Sequence, residues 1–532
     1  MSGPPSEHAL DHVVVVMFEN RSFDNLLGHL YEPGEVTHFE GVLGRQLTNP
    51  IPNWAEHSAD RLDVPYGVAL DMNTPSPDPG EEYGHVNTQL FGIFDPPSNR
   101  GRRAAKMSRP YNAPTPSSIG DPPMPSMDGF VADYISSFWS EIGRQPTYEE
   151  YSQIMAGYTP EQMPVINTLG RAFTTFDHWF CEVPSQTFTN RSFFHAASSS
   201  GLVVNTSPPD SFPVRNTAPT IFERLSAKGL SWRVYCDPPS HVSFTGVIHL
   251  SRLHPYFKTH FFTTDQFLQD AEDGKLPTYS FIEPNLLYGH NDMHPAMSAV
   301  LHGLAVDPPS PLLGGEQMLA RVYNAVRNSS SPEGSNATNT FLLVTFDEPG
   351  GTYDHVPPPP AAPPDPAAPP GQFGFAFDRS GIRVPSIAIS AWCPGGTVVT
   401  DEHRHTSLIA TLRRRWTLGP PLTGRDASAR DLTPLFSLPA PRPAEEWPEV
   451  TPRPVPQEHA TLHAAARAAA AAAEKGPMSS LQRGALLALS GFGQRLEHAV
   501  PELREDADIK GAEAIEMVAE LFGHLFPGLR SP

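Results

Sequence analysis

The chain has 532 residues, 61 of them proline, an apolar fraction of 39%, and 37 basic against 58 acidic side chains, for a net charge of −21. That length holds one large catalytic domain with additions, or two to three smaller domains. The acidic balance argues against nucleic acid or an anionic membrane surface as partner. Cys181, Cys236 and Cys393 lie far apart with no CxxC pair, which argues against a structural zinc site. No apolar run of about 20 residues offers a transmembrane helix. The opening MSGPPSEHALDHVVVV lacks a basic region followed by an apolar stretch and a small-residue cleavage site. As written, the chain is expected in the cytoplasm; a secreted protein whose leader has been removed would read the same.

Residues 11–18, with their run of valines, read as a buried strand that stops abruptly on Glu19, Asn20 and Arg21. A helix is expected to begin within 19–27, capped by Asn20 or Ser22, its first N–H groups able to face an anion. Residues 33–125 are rich in Pro, Asn and Gly and read as loops. A short helix over 159–173, a strand over 174–183 and a helix over 190–201 after a tight turn come next. WRVYC (232–236) and TYSFIEP (278–284) read as strands, and 314–328 as an amphipathic helix. TFLLVTFDE (340–348) is a second clear buried strand, again ending on acids, and RVPSIAISAW (383–392) a third. PPPPAAPPDPAAPP (357–370) reads as an exposed polyproline-type loop. Beyond about 440 the composition shifts to a Pro-rich linker (441–456) and a helical C-terminal extension (457–532) without visible chemistry.

Strands alternating with helices predict an α/β fold, a central mostly parallel sheet flanked by helices, with 1–440 as the catalytic domain. In such sheets the site lies beyond the carboxyl ends of the strands. Glu19-Asn20 and Asp347-Glu348 both stand at such ends. Hard oxygen donors gathered this way suit a divalent cation, which removes the repulsion among carboxylates and activates a hydroxyl or water. PSQTFTNRSFFH (184–195) supplies hydroxyls, Ser185, Thr187, Thr189 and Ser192, with Arg191 adding positive charge. EPNLLYGHNDMHP (283–295) supplies histidines, including His290 and His294.

Five motifs in order, ENRSFDN, VPSQTFTNR, NDMHP, DEPGGTYDHVPPP and HTSLIATL with its LTGRDASARDLTPLF continuation, resemble the bacterial phosphoesterase family over about 10–437. This family includes phosphatidylcholine-type phospholipases C and acid phosphatases within the alkaline-phosphatase-like superfamily. The resemblance implies a metal site of Glu19, Asn20, Asp347 and Glu348, with Thr187 as nucleophile and further metal ligand. The family usually writes that stretch G-x-T-x-P-N-R; here Ser185 and Thr189 replace the glycine and proline, so Ser185 stays a competing hydroxyl. His294 and His355 match family motifs that bring histidines to the phosphate. His85 falls near the loop the family writes D-P-G-H-x-x-x-x-x-H. His405 is expected to be structural, and Asp354 either orients a histidine or caps a turn.

The implied activity is hydrolysis of a phosphoric ester through a phosphothreonine, either a small phosphorylated substrate or a phospholipid head group. With a single metal of unspecified identity and histidines completing the positive charge, monoester activity is expected to be favoured toward acidic pH. The alternative is a phosphonate C–P hydrolase or a specialised natural-product enzyme on the same scaffold. A sulfatase fits poorly, because its C/S-x-P-x-R signature is absent around Thr187. The stretch 296–317 is longer than the family's usual connection, and with the 357–370 loop it is expected near the pocket rim.

Overall fold

The computed structural model describes residues 5–455, apart from 57–59, 115–122, 206–211, 239–242, 287–289, 296–298, 302–303 and 307–310. Its central sheet has eight strands: β1 (His12–Phe18), β2 (Thr174–Phe176), β3 (Trp232–Cys236), β4 (Phe261–Thr263), β5 (Tyr279–Glu283), β6 (Thr340–Phe346), β7 (Ser386–Ile389) and β8 (Thr397–Val399). Their order is β8-β2-β7-β6-β1-β5-β3-β4. Every residue from Val13 to Phe18 is fully buried. A β-branched run without polar alternation belongs between neighbours in a sheet covered on both faces. β1 accordingly pairs in parallel with β5 and β6. The parallel set continues through β3 and β4. β7 runs against both β6 and β2, so the expected third strand is the antiparallel exception.

The helices used below are α1 (Phe23–Leu27), α2 (Tyr83–Phe91), α3 (Phe130–Ile142), α4 (Pro164–Ala172), α5 (Thr187–Ala196), α6 (Pro311–Asn328) and α7 (His405–Trp416). α6 packs on β1, β6 and α4, and α5 packs on α7. Phe194 of α5 meets Phe281 of β5 at 5.8 Å between ring centroids. α2 and α3 pack on each other around a separate core that includes Val86, Leu90, Phe130, Tyr134 and Tyr353. That second core anchors the segment just before α2, whose Glu81 matters below.

Several local expectations change. The strand expected over 174–183 is broken at Asp177-His178, and Trp179–Phe180 pairs instead with His403–Arg404. Asp177 is buried there, its Oδ1 bonded to His178 and its Oδ2 accepting from Glu40 N. The loop-rich 33–125 stretch contains α2. The helix expected from 190 starts three residues earlier, which makes Thr187 its first residue. α1 is capped by Ser22, whose Oγ accepts from Asn25 N at 3.2 Å. The N–H groups around its start are taken up by the protein's own groups rather than left for a bound anion. Ser22 N donates to Thr352 Oγ1, Phe23 N to Arg383 O and Asp24 N to Asp354 Oδ2.

The Pro-rich loop is packed at its base, where Ala361 N donates to Asp378 O and Pro364 O accepts from Gly424 N, and exposed over 365–370. Trp447, inside the stretch expected as a linker, is buried against Phe173 at 5.0 Å between centroids. The expected C-terminal helices, 457–532, lie outside the described residues.

Candidate active site

Phe18 of β1 and Phe346 of β6 are register partners, so the two strands deliver Glu19 and Asp347 side by side. Both carboxylates are fully buried and share one guanidinium. Arg191 Nε lies 3.0 Å from Glu19 Oε1 and 3.1 Å from Asp347 Oδ2, and Arg191 Nη2 lies 2.5 Å from Glu19 Oε1. Asp347 Oδ1 accepts from Asn20 N at 3.3 Å and from Glu348 N at 2.8 Å. Burial and the Asp347 charge push Glu19 well above the usual carboxylate range, more than Arg191 offsets. Burial, Glu81 and Asp347 do the same to Glu348.

The backbone is bent to make this corner. Asn20 has φ 55°, a left-handed conformation uncommon for a non-glycine residue and frequent at functional sites. Gly350 and Gly351 have φ 56° and 70°, and a Cβ on Gly350 would stand 2.4 Å from Asn20 Cβ. Gly350 therefore lets the DEPGG motif lie directly on the first motif, and Gly351, where a Cβ would stand 2.6 Å from Gly80 O, lets it lie against the Pro79-Gly80 segment.

Thr187 opens α5, and its Oγ1 donates to Glu19 Oε2 at 3.2 Å. The Asn-Arg pair after it has two separate tasks. Asn190 builds the turn: its Oδ1 accepts from Glu182 N and Val183 N, and its Nδ2 donates to Val183 O, Ser185 O and Gln186 O. Arg191 binds the strand-end carboxylates rather than standing free for substrate, contrary to the charge expected of it; only its Nη1 is buried without a partner. Among the other hydroxyls, Thr189 Oγ1 donates to Leu202 O and Ser192 Oγ to Ser198 O. Ser185 Oγ is buried and unpartnered, and Glu19 meets Thr187 rather than Ser185.

The NDMHP loop hooks onto the first motif. Glu19 N donates to Asp292 O at 2.8 Å and Arg21 Nε to Met293 O at 2.7 Å. His294 reaches the site through Asn20: its Nε2 lies 2.9 Å from Asn20 Nδ2, while its Nδ1 lies 2.9 Å from Pro295 O. A carbonyl only accepts, so Nδ1 carries the proton and Nε2 accepts from the amide. His290 pairs with Asp292 at 2.8 Å. His405 Nε2 donates to Asp347 O at 2.7 Å and its Nδ1 accepts from Trp179 Nε1, a bracing position.

Two expected histidines stand elsewhere. His85 faces away into α3, its Nδ1 2.8 Å from Asp133 Oδ1; burial opposes its charge, but Asp133 holds its pKa up to about 9. The residue that its loop delivers to the site is Glu81, which accepts from Asn20 Nδ2 and, at 3.0 Å, from Gln186 Nε2. The signal was present in the sequence: Asp78-Pro79-Gly80 match the family pattern, and Glu81 stands at the position of its first histidine. His355 binds Asp24 Oδ2 at 2.7 Å and Glu40 Oε1 at 3.2 Å, in a network closed by Arg383, with no bond to Glu19, Asn20, Thr187, Asp347 or Glu348. Asp354 accepts from Arg383 Nε at 2.9 Å in that same network.

Whether the expected ligands suit a cation is testable on their unmet valences. Asn20 Oδ1 and Glu348 Oε1 are buried acceptors without a hydrogen-bond partner, beside carboxylates that burial and mutual repulsion drive toward protonation. Oxygen donors in that state fit a hard divalent ion. Among the described residues, the groups that bring three His or acid ligand atoms within 4.8 Å of one another are Asp78, Glu81 and His294, next to Asn20, and Asp24, Asp354 and His355; Glu19, Asp347 and Glu348 are not gathered that closely.

This corner, two parallel strand ends carrying acids and facing a hydroxyl at the start of a helix, is that of a hydrolase. The chain belongs to the Phosphoesterase family, whose model matches residues 10–419, and it is a phosphoric ester hydrolase. Its relatives include non-specific phospholipase C1 of Arabidopsis thaliana, 32% identical over 83% of this chain and 73% of that protein. Phospholipase C A of Mycobacterium tuberculosis is 25% identical, covering 83% of this chain and 80% of its own. Among solved structures, the phosphonate monoester hydrolase of Agrobacterium radiobacter is similar over 52% of this chain and 72% of that one, at 12% identity and a TM-score of 0.28. No helix among the described residues is long and apolar enough to cross a membrane.

Proposed function

We propose that the protein is a metal-dependent phosphodiesterase of phospholipase C type, working through a covalent phosphothreonine on Thr187. The observation that carries this reading is the Thr187 hydroxyl donating to Glu19 Oε2 at the first residue of α5. Glu19, Asn20, Asp347, Glu348 and Thr187 would hold the divalent ion. When bound, the ion neutralises charge on phosphate oxygens and favours the ionised hydroxyl.

Thr187 Oγ bonds to phosphorus as its proton passes to Glu19 Oε2. The bond from phosphorus to the glycerol oxygen breaks, and the alkoxide leaves with that proton. Water then cleaves the phosphothreonine, releasing the phosphorylated head group and restoring the hydroxyl. Arg191 and His405 hold Asp347, and His294 holds Asn20. His294 Nε2 is occupied by that amide, so its role lies in orienting a ligand rather than in protonating the leaving oxygen.

Two things favour a diester over the monoester. The relatives named above are phospholipases C. The two nearby guanidinium groups are mostly committed as well, Arg191 to Glu19 and Asp347, and Arg21 to Met293 O, Asn25 Oδ1 and Thr74 O, each keeping one nitrogen, Arg191 Nη1 and Arg21 Nη2, without a partner. A monoester dianion needs more free positive charge than remains beside Glu19, Glu81, Asp347 and Glu348. Phosphatidylcholine vesicles, nitrophenyl phosphorylcholine and nitrophenyl phosphate, compared across pH 5–9 with added divalent ions, test the choice. The expected result is faster turnover of both diesters; faster hydrolysis of nitrophenyl phosphate, rising toward pH 5, would return the monoesterase to first place.

A further inference from the structure

Asn20 can present either its oxygen or its NH2 group to a metal, and the two ends of an amide are nearly the same shape. Its surroundings decide which. Nδ2 donates both to Glu81 Oε2 and to His294 Nε2, which leaves the buried Oδ1 as the end without a partner. Glu81 is 3% exposed, and an ionised carboxylate accepts only. Its other oxygen accepts from Gln186 Nε2, and Gln186 cannot turn over in response, because its own Oε1 accepts from Asn205 N at 3.0 Å. Gln186 is the residue immediately before Thr187 and stands at the N-cap position of its helix, its side chain turned to Glu81 and Asn205 rather than to the helix N–H groups. One carboxylate thus ties the amide at the end of β1 to the start of the nucleophile helix.

We propose that Glu81 is a positioning residue: it locks the Asn20 amide with its oxygen toward the metal, and holds that ligand in register with Thr187. The inference rests on the metal site proposed above. Its consequence is specific to hydrogen-bond direction. In Glu81→Gln the new oxygen must serve the pinned Gln186 donor. The new NH2 then faces the Asn20 NH2, donor against donor; the amide is pushed aside, or turns over at the cost of setting its oxygen against His294 Nε2, and in both cases that oxygen is no longer held toward the ion. Outer-shell partners of this kind change metal affinity by about 10–100-fold. Replacing Asn20 by Asp in the same variant restores an acceptor on both sides while keeping the total charge of the wild type.

The test is titration of the full chain with Mn2+, following free Mn2+ by electron paramagnetic resonance, for wild type, Asp347→Asn, Glu81→Gln and Glu81→Gln/Asn20→Asp. The expected order is tight binding by wild type, binding about 10–100-fold weaker for Glu81→Gln, and recovery of about tenfold in the double variant. Wild-type affinity in Glu81→Gln, with Asp347→Asn impaired, overturns the role of Glu81 and leaves the metal site standing. Equal, weak binding by wild type and Asp347→Asn overturns the metal site and this inference together. Should Glu81→Gln fail to fold, Asn20→Asp alone decides. Two carboxylates then face each other where a donor stood, so Mn2+ binding must weaken despite the added charge; tighter binding overturns the proposal.

Discussion

Two buried ion-pair clusters are built from the same two sequence strings, and they end in opposite states. At the strand ends, Arg191 bridges Glu19 and Asp347. A few residues further along each string, Arg383 bridges Asp24 and Asp354, at 2.9 Å to each. The second cluster is closed. Asp24 Oδ2 accepts from His355 N, Asp354 Oδ1 from Val356 N, and Arg383 Nη1 donates to Glu40 O and Asp177 O. Burial would raise Asp24, but Arg383 and His355 outweigh it and hold the carboxyl below its ordinary value, while Asp354 is pushed up to about 6 by burial against Arg383, so the clusters differ chiefly in their unmet hydrogen bonds. In the first cluster burial and Asp347 outweigh Arg191, Glu19 is raised, and Asn20 Oδ1, Glu348 Oε1 and Arg191 Nη1 have no partner. Buried polar groups in a finished core are satisfied. A cluster that the protein satisfies is a strut; the one left short of partners is where we propose that a cation and an anionic substrate bind.

Thr187 carries the largest expected effect. Thr187→Ala is expected to lower kcat by about 10³-fold or more while thermal unfolding changes little, if the hydroxyl serves the reaction as proposed rather than the fold. Steady-state assays on nitrophenyl phosphorylcholine beside a melting curve check both halves.

The two arginines sharpen the comparison next. Arg383→Met should destabilise the protein by about 3–5 kcal/mol in urea titrations, since it strands Asp24 and Asp354. Turnover per folded molecule should stay within about twofold, the two clusters sharing no hydrogen bond. Arg191→Met strands Glu19 and Asp347 instead, and saturating divalent ion should restore much of its stability. An equal loss for both variants with and without metal would remove the distinction between them.

The smallest effect lies on α2. His85 is held up to about 9 by Asp133, against its burial, so the pair's contribution is full below the unfolded histidine value, about 6.5, and is lost as pH rises through about 9. Urea unfolding of wild type against His85→Gln should therefore converge between pH 6.5 and 9.5. A constant difference across that range would show that the pair does not titrate there.

Much of this was legible in the chain itself. The valine run and TFLLVTF announce buried parallel strands because no polar alternation interrupts them, and the acids that end them are where such sheets place their sites. The Thr187-Asn190-Arg191 spacing was legible as a motif. The division of labour within it was not, because which donor meets which carboxylate depends on register between strands distant in sequence. The same limit hid the difference between His294 and His355. Both sit in matching motifs, and only the packing of Asp24 and Arg383 draws His355 into the strut. His85 stands out over Glu81 in the sequence because it shares the residue type of the family's loop, whereas the Asp78-Pro79-Gly80 string puts Glu81 at the matching position.

The most direct test of the central claim is to catch the covalent step. Wild-type protein mixed with excess nitrophenyl phosphorylcholine, quenched in acid within milliseconds and digested, should yield a peptide containing Thr187 that carries the head-group phosphate, absent from Thr187→Ala and from metal-stripped protein. Full turnover with no such adduct, or an adduct on Ser185, would contradict the account.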